Sequence, residues 1–403
     1  MPTLRVAVAT CAIVLLTACG GAGQGSIPHS GAGEASQSNT VSTKQFVVNG
    51  TGSTAPSVTM IEYNVPGLPS SGGVTVAKDG AVWWQSSVNG VGDMVRMQGT
   101  SVTVVPGPIA SSSLPAAASV PFLKMASTPD GRVWGAFTLS TPYGYLYQLG
   151  SATNGAKVIS PGLVIPPNPT SNDGGNLGFL VTGPDGNVWW TYHGSGPVST
   201  PDVNDPLIGN SSGLLTLPPD NNTTFLAVTV GPDKDMWFLG TAYGALFPPS
   251  NFARYTTSGE YLGTIDLSTP ISVNQNAVTG PDGAIWVPDQ FFPNNQNTFA
   301  IGRITSTGAV TNYPLPNPRI DNADPRDITV GGDGALWFTI KILSSNASAV
   351  GRITTSGQIT EYPLPAGFDA FQITGPYSAA GCGNAQLWVS SVNGPLMELV
   401  IKS

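Results

Sequence analysis

The stretch ITVGGDGALWFT, Ile328 to Thr339, places a Gly-Gly-Asp-Gly turn between two short apolar runs, and variants of it recur along most of the chain. They are VTVAKDGAVWW ending at Trp84, ASTPDGRVW at Trp134, VTGPDGNVWW at Trp190, VTVGPDKDMW at Trp237, VTGPDGAIW at Trp286 and a degenerate NAQLW at Trp388. Measured between Trp83, Trp134, Trp189, Trp237, Trp286, Trp337 and Trp388, the interval is 51, 55, 48, 49, 51 and 51 residues. A nearly constant period of about 40 to 50 residues, built from short strands and turns, is the mark of a propeller or solenoid.

One repeat, Asp324 to Pro365, reads as four strands: DITVGG, ALWFT, VGRITTSG with its turn, and QITEYPLP. Four antiparallel strands per repeat make a propeller blade. Asp79-Gly80, Asp130-Gly131, Asp185-Gly186, Asp282-Gly283 and Asp333-Gly334 supply the positive-φ residues that join two strands tightly, so turn formation accounts for these aspartates without a metal. All nine tryptophans fall on the second strand, where large rings fill the wedge between neighbouring blades. The last repeat ends in PLMELVIKS, enough for a third strand only, while SVTMIEYNVPG, Ser57 to Gly67, has the fourth-strand pattern. Pairing the two would close the ring and remove exposed sheet edges. The expected fold is therefore an all-β, seven-bladed β-propeller over residues 57–403.

Composition agrees. Only 9% of the 403 residues are charged, while 50 Gly and 36 Pro imply short, turn-rich strands. One repeat family spans the length, so one domain is expected, as a monomer. The net charge is -8 and no basic run or stripe occurs, which argues against nucleic acid as a partner.

Residues 1–18 carry Arg5, an apolar core from Val6 to Leu16, and the tetrad Leu16-Thr17-Ala18-Cys19, the pattern of an export signal. About eleven apolar residues are too few to span a bilayer as a helix, which takes about 20. The tetrad resembles a bacterial lipoprotein signal, in which the cysteine is lipidated; this implies a membrane anchor on Cys19 and an extracytoplasmic location in the cell envelope. Residues 19–56 are rich in Gly, Ser, Thr and Ala, the composition of a disordered tether. With Cys11 in the signal and Cys19 lipidated, Cys382 is alone and no intramolecular disulfide is expected.

ITVGGDGALWFT, IGRITSTGAVTNYPLP and VGRITTSGQITEYPLP closely resemble the virginiamycin B lyase (streptogramin lyase) family of seven-bladed propellers. The resemblance implies a central funnel, lined by residues that enter each inner strand and leave each second strand, holding histidines, glutamates and Mg2+. Those enzymes open a cyclic depsipeptide by elimination at its ester, which needs a base for the Cα proton and a metal to polarise the carbonyl. The family's histidines would fall at Arg326 and Phe371, and the sister positions are Gly72, Leu123, Gly178, Leu226 and Gln275. Its glutamates would fall at Ser86, Phe137, Tyr192, Gly240, Asp289, Ile340 and Ser391, with the catalytic one of the last blade at Val392. Arginine stays protonated and phenylalanine accepts no proton, so neither replaces a histidine base.

The candidate ligand-binding residues are thus Arg326, Gln275, Asp289, Tyr192, His193 and Phe371, with Leu123 and Leu226 as apolar wall. His193 and Asp289 are the candidate catalytic residues. Two uses of Arg326 stand open, a clamp on a ligand carboxylate or phosphate and an ion pair with Asp289 that only joins two blades. Asp321, Asp324 and Asp327 flank it and would suit a hard cation or a turn. The function expected is ligand or partner binding in the funnel with no cofactor; the alternative is a metal-dependent C–O lyase, or a related hydrolase, with altered residues.

Overall fold

A computed structural model describes residues 40–401, except 52–55, 71, 89–90, 107–124, 142–143, 153–163, 166–175, 194–206, 211–212, 215–222, 243–249, 272–275, 292–297, 317–322, 378–385 and 393. Among the described residues there is no helix, and the strands form seven antiparallel sheets. Six are four-stranded and follow the chain, each with the form of a propeller blade. The first starts at β3 (Val74–Val76), the second at β7 (Ala126–Ser127), the third at β11 (Asn176–Thr182), the fourth at β15 (Thr223–Val230), the fifth at β19 (Val278–Thr279) and the sixth at β23 (Ala323–Val330). The seventh is five-stranded. Its β27 (Ala370–Thr374), β28 (Gln386–Ser391) and β29 (Leu396–Ile401) are followed by β2 (Ser57–Asn64) and β1 (Ser42–Asn49). β2 pairs antiparallel with β29, from Val58 opposite Ile401 to Tyr63 opposite Leu396.

The sixth sheet shows why the repeat folds as it does. β23 and β24 (Leu336–Ile342) meet at the Asp333-Gly334 turn, where Gly334 takes φ of 74°. Asp333 Oδ1 accepts from the Ala335 amide at 3.3 Å and the Trp337 indole at 3.0 Å, so the turn residue also orients the register tryptophan. Arg352, on the third strand β25 (Ala347–Ile353), donates to Asp333 Oδ2 at 2.7 Å and lies 5.9 Å over the Trp337 ring. Asp282, Trp286 and Arg303 repeat this in the fifth sheet, with the guanidinium contact again at 2.7 Å and the ring contact at 5.8 Å. Gly351 beside Arg352 leaves room for the Phe338 ring, whose atoms a Cβ would meet at 2.2 Å.

Neighbouring sheets share apolar cores that contain the register tryptophans. Trp286 packs with Ile328, Leu336 and Phe338 of the sixth sheet, and Trp337 with Ile373, Leu387 and Val389 of the seventh. Trp388 packs with Val74, Val82 and Trp84 of the first. Hydroxyls stitch the inner strands together as well: Ser127 donates to the Val76 carbonyl at 2.8 Å and Thr182 to the Ser127 carbonyl at 2.9 Å.

β1 corrects the expected tether. Ser42 to Asn49 pairs with β2 over its whole length, inside the stretch read as unstructured. Phe46 and Val48 alternate inward against the core of the seventh sheet, and β2 offers an open edge for them to cover. Thr51 then ties to the sixth sheet, its amide donating to the Glu361 carbonyl at 3.1 Å and its Oγ1 accepting from the Glu361 amide at 3.0 Å. The signal region, including Cys19, and Cys382 lie outside the described residues.

Candidate functional site

Four inner strands carry a β-bulge, and each bulge sits at the same place in the repeat. The ladder slips between Leu177 and Leu180, Phe225 and Ala227, Pro325 and Ile328, and Ala370 and Ile373. A bulge kinks the strand and re-aims a side chain away from the strict alternation of a ladder. The residues lifted there include Gly178, Leu226, Arg326 and Phe371, four of the positions singled out from the sequence.

Removing residues from the ladder leaves their backbone groups to find other partners. Thr339, on β24, supplies them in the sixth sheet: Oγ1 accepts from the Asp327 amide at 3.2 Å and donates to the Phe371 carbonyl of the seventh sheet at 2.8 Å. Asp327 Oδ2 in turn accepts from the Ile373 amide at 2.8 Å. In the seventh sheet Ser390 takes the place of Thr339, accepting from the Gln372 amide at 3.1 Å. Asp327, Thr339, Gln372 and Ser390 are all buried, so the bulges are rigidly held.

Arg326 stands on this base and is about one-fifth exposed. Its Nε lies 3.7 Å from Asp324 Oδ2 and its Nη1 3.6 Å from Asp369 Oδ1. Lys341, from the end of β24 and nearly buried, reaches the same Asp369 oxygen at 2.9 Å and donates to the Asn346 carbonyl at 3.1 Å. Two cations and two carboxylates thus gather where the sixth and seventh sheets meet. Burial pushes the Asp324 carboxyl above its ordinary value, and the nearby charge of Arg326 only partly pulls it back.

The residues predicted from sequence divide as follows. Arg326 and Phe371 occupy equivalent bulges on adjacent sheets, and Phe371 is half-buried. The expected Arg326–Asp289 pair does not form: Arg326 pairs with Asp324 and Asp369, because those carboxylates flank bulges of its own and the next sheet, whereas Asp289 is buried at the end of the second strand of the fifth. Leu226 is half-buried in its bulge. Tyr192 and His193 end the second strand of the third sheet, opposite Leu177 and Asn176, and their side chains lie outside the described residues, as do Gln275, Leu123 and Asp321. Sequence reasoning missed Lys341 and Asp369. The signal was available: a lysine next to the last residue of the mostly apolar strand LWFTIKI, in a chain this poor in charge.

The Mg2+ implied by the resemblance finds no fitting donor set among the described residues. Among the described residues no group of three His, Cys, Asp or Glu side chains converges. The two carboxylates at this end already face Arg326 and Lys341, whose charges oppose a divalent cation.

The profile described as the Virginiamycin B lyase family matches residues 169–394. No curated protein sequence matches significantly. Among solved structures, the chain is similar to YCF48 from Cyanidioschyzon merolae at 10% identity and a TM-score of 0.48, over 84% of this chain and 98% of that one. It is similar to the PQQ-bound aldose sugar dehydrogenase from Streptomyces coelicolor at 14% identity and 0.43, over 90% and 98%. It is similar to oligogalacturonate lyase from Vibrio parahaemolyticus at 12% and 0.44, over 81% and 98%. At this distance the likeness says nothing about chemistry.

Proposed function

The chain belongs to the Virginiamycin B lyase family, matched over more than half its length, and we propose that within it this protein is a lipid-anchored, extracytoplasmic, closed seven-bladed propeller that binds a carboxylate- or phosphate-bearing small molecule in its central funnel. Closure is supported by the pairing of β2 with β29 and by the core that joins Trp388 to the first sheet. Anchoring rests on the Leu16-Thr17-Ala18-Cys19 tetrad and the short apolar run before it.

The observation that carries the binding reading is the state of Arg326. Its guanidinium sits on a rigid bulge at 3.6 and 3.7 Å from its carboxylates, longer than hydrogen bonds. Its fork of donors is therefore held in place without being consumed, which suits bidentate capture of a planar oxyanion. Lys341 pairs with Asp369 at 2.9 Å, so that Arg326 shares this carboxylate, and Phe371 adds apolar wall. A binding site needs no base, and the two positions where the family resemblance puts histidines hold Arg326 and Phe371.

Titration with citrate and with inorganic phosphate tests this. Binding weakened at least tenfold in Arg326→Ala, with an unchanged melting temperature, is expected; undiminished binding would overturn it. Family membership favours one second reading, a C–O lyase working with altered residues such as His193 and Asp289. Incubation with a streptogramin B ester, with and without magnesium, decides: ring opening that disappears in His193→Ala would replace the binding-only reading. For the anchor, Cys19→Ser is expected to move the protein from the membrane fraction to the soluble one, and unchanged fractionation would exclude lipidation.

A further inference from the structure

The charged groups that gather around Arg326 are two of each sign, so among the described residues the site has no net charge to offer an anion. An oxyanion docked on Arg326 would meet two carboxylates at close range, and like charges that near to one another oppose each other strongly in a partly buried site. The two carboxylates are not equivalent. Asp369 is held by Lys341, which reaches it at 2.9 Å and is itself nearly buried. Asp324 has a weaker hold. Lys341 stands directly opposite it in the ladder between β23 and β24, yet the ammonium goes to Asp369 and the Asn346 carbonyl. Among the described residues the cation that faces Asp324 is Arg326, at 3.7 Å.

The other charges packed around β23 are engaged elsewhere. Asp327 is buried and its Oδ2 accepts from the Ile373 amide of the seventh sheet. Asp289, of the fifth sheet, is buried and makes no ion pair with Arg326. Arg303 and Arg352 reach the turn aspartates of the fifth and sixth sheets, at the opposite end. The side chains of Arg319 and Asp321 lie outside the described residues. Asp324 is about one-third exposed, so a proton can reach it from solvent, and burial already holds its carboxyl above the ordinary value of 3.8.

Resting on the anion-site reading given above, we propose that Asp324 is the proton-linked residue of that site: it takes up one proton when an oxyanion docks on Arg326, and as a neutral acid it donates a hydrogen bond to that anion. The step balances, since solvent supplies the proton, the carboxylate loses its charge and Arg326 exchanges one anionic neighbour for another. Asp369 is the worse acceptor of that proton, because its neutralisation would strand the buried charge of Lys341. A complex that holds one more proton than the free protein binds more tightly as pH falls, by at most about tenfold per pH unit.

Calorimetric titration of the full chain with sulfate, whose charge is constant between about pH 4 and about pH 8, tests this. The dissociation constant is expected to fall at least about fivefold from about pH 7.5 to about pH 5, and runs in two buffers of different ionisation enthalpy should report net proton uptake. Asp324→Asn keeps the shape and removes the charge. It should bind sulfate at least about fivefold more tightly than the native protein at about pH 7.5, and should lose both the pH dependence and the proton uptake. Native binding that does not change with pH, or a folded Asp324→Asn that keeps the slope or binds no more tightly, would overturn the role of Asp324 and leave the anion site standing. Absence of sulfate, citrate and phosphate binding alike, or binding that survives Arg326→Ala, would remove the anion site and this inference with it.

Discussion

Replacing Asp282 with alanine is expected to lower the stability of the protein by about 2–4 kcal/mol at neutral pH. Asp282 Oδ1 accepts from the Trp286 indole at 3.0 Å and the Ala284 amide at 3.3 Å, and Oδ2 accepts from Arg303 at 2.7 Å. A neutral hydrogen bond contributes about 1 kcal/mol net, one to a charged group about 1.5–3, and an orphaned buried donor costs about 1–3. These overlap at one residue and do not add fully. Arg303 is about one-quarter exposed and keeps its place over the Trp286 ring, so water recovers much of its loss. Trp286 is fully buried and cannot be rescued in this way. Burial pushes the Asp282 carboxyl upward, but the hydrogen bonds from Trp286, Arg303 and Ala284, with the Arg303 charge, outweigh it and hold the carboxyl below its ordinary value of 3.8. A folded-state value below the unfolded one means stability that is fully present above the unfolded pKa and is lost as pH falls through the folded one. Urea unfolding of both proteins at neutral pH and through the acid range measures this. The gap between them should be constant at neutral pH and shrink below about pH 4. A gap under about 0.5 kcal/mol at neutral pH, the size of an ordinary surface change, or one that persists undiminished into acid, would show that the turn aspartate does not hold the tryptophan.

Lys234 occupies the turn position where other repeats have glycine and takes φ of 70°, so Lys234→Gly should raise stability by up to about 1 kcal/mol, read as a higher melting temperature. Thr339→Val deprives the Asp327 amide of its acceptor and the Phe371 carbonyl of its donor; a loss of about 1–3 kcal/mol is expected, together with weaker citrate binding through a displaced Arg326 bulge. Deleting residues through 50 removes β1 but leaves β2, and should give a folded, less stable protein. Deleting through 64 removes the strand that pairs with β29 and should give one without a cooperative melting transition.

Much of the architecture was legible because it is local and repeated. A turn aspartate, a glycine at positive φ and a tryptophan four residues after the aspartate act within one hairpin, so their spacing survives in five of the seven copies. The candidate site was only half legible. Arg326 stood out as a charge at a repeat position otherwise apolar or neutral. Its partners did not, because Asp369 comes from the next sheet and Lys341 from the next strand, and nothing in the sequence marks which carboxylate lies nearest. Nor did the sequence announce the bulges, since period-2 alternation gives no warning of one extra residue.

The sequence by itself therefore determined the repeat, the turn chemistry, the packing role of the tryptophans and the family, all of which follow from residues close together in the chain. Only the tertiary structure decided that Arg326 turns to Asp324 and Asp369 instead of Asp289, and that Ser42–Asn49 joins the seventh sheet. Those outcomes depend on how one sheet packs on the next, and contacts between sheets join residues some 50 positions apart, as Ser127 to Val76 does.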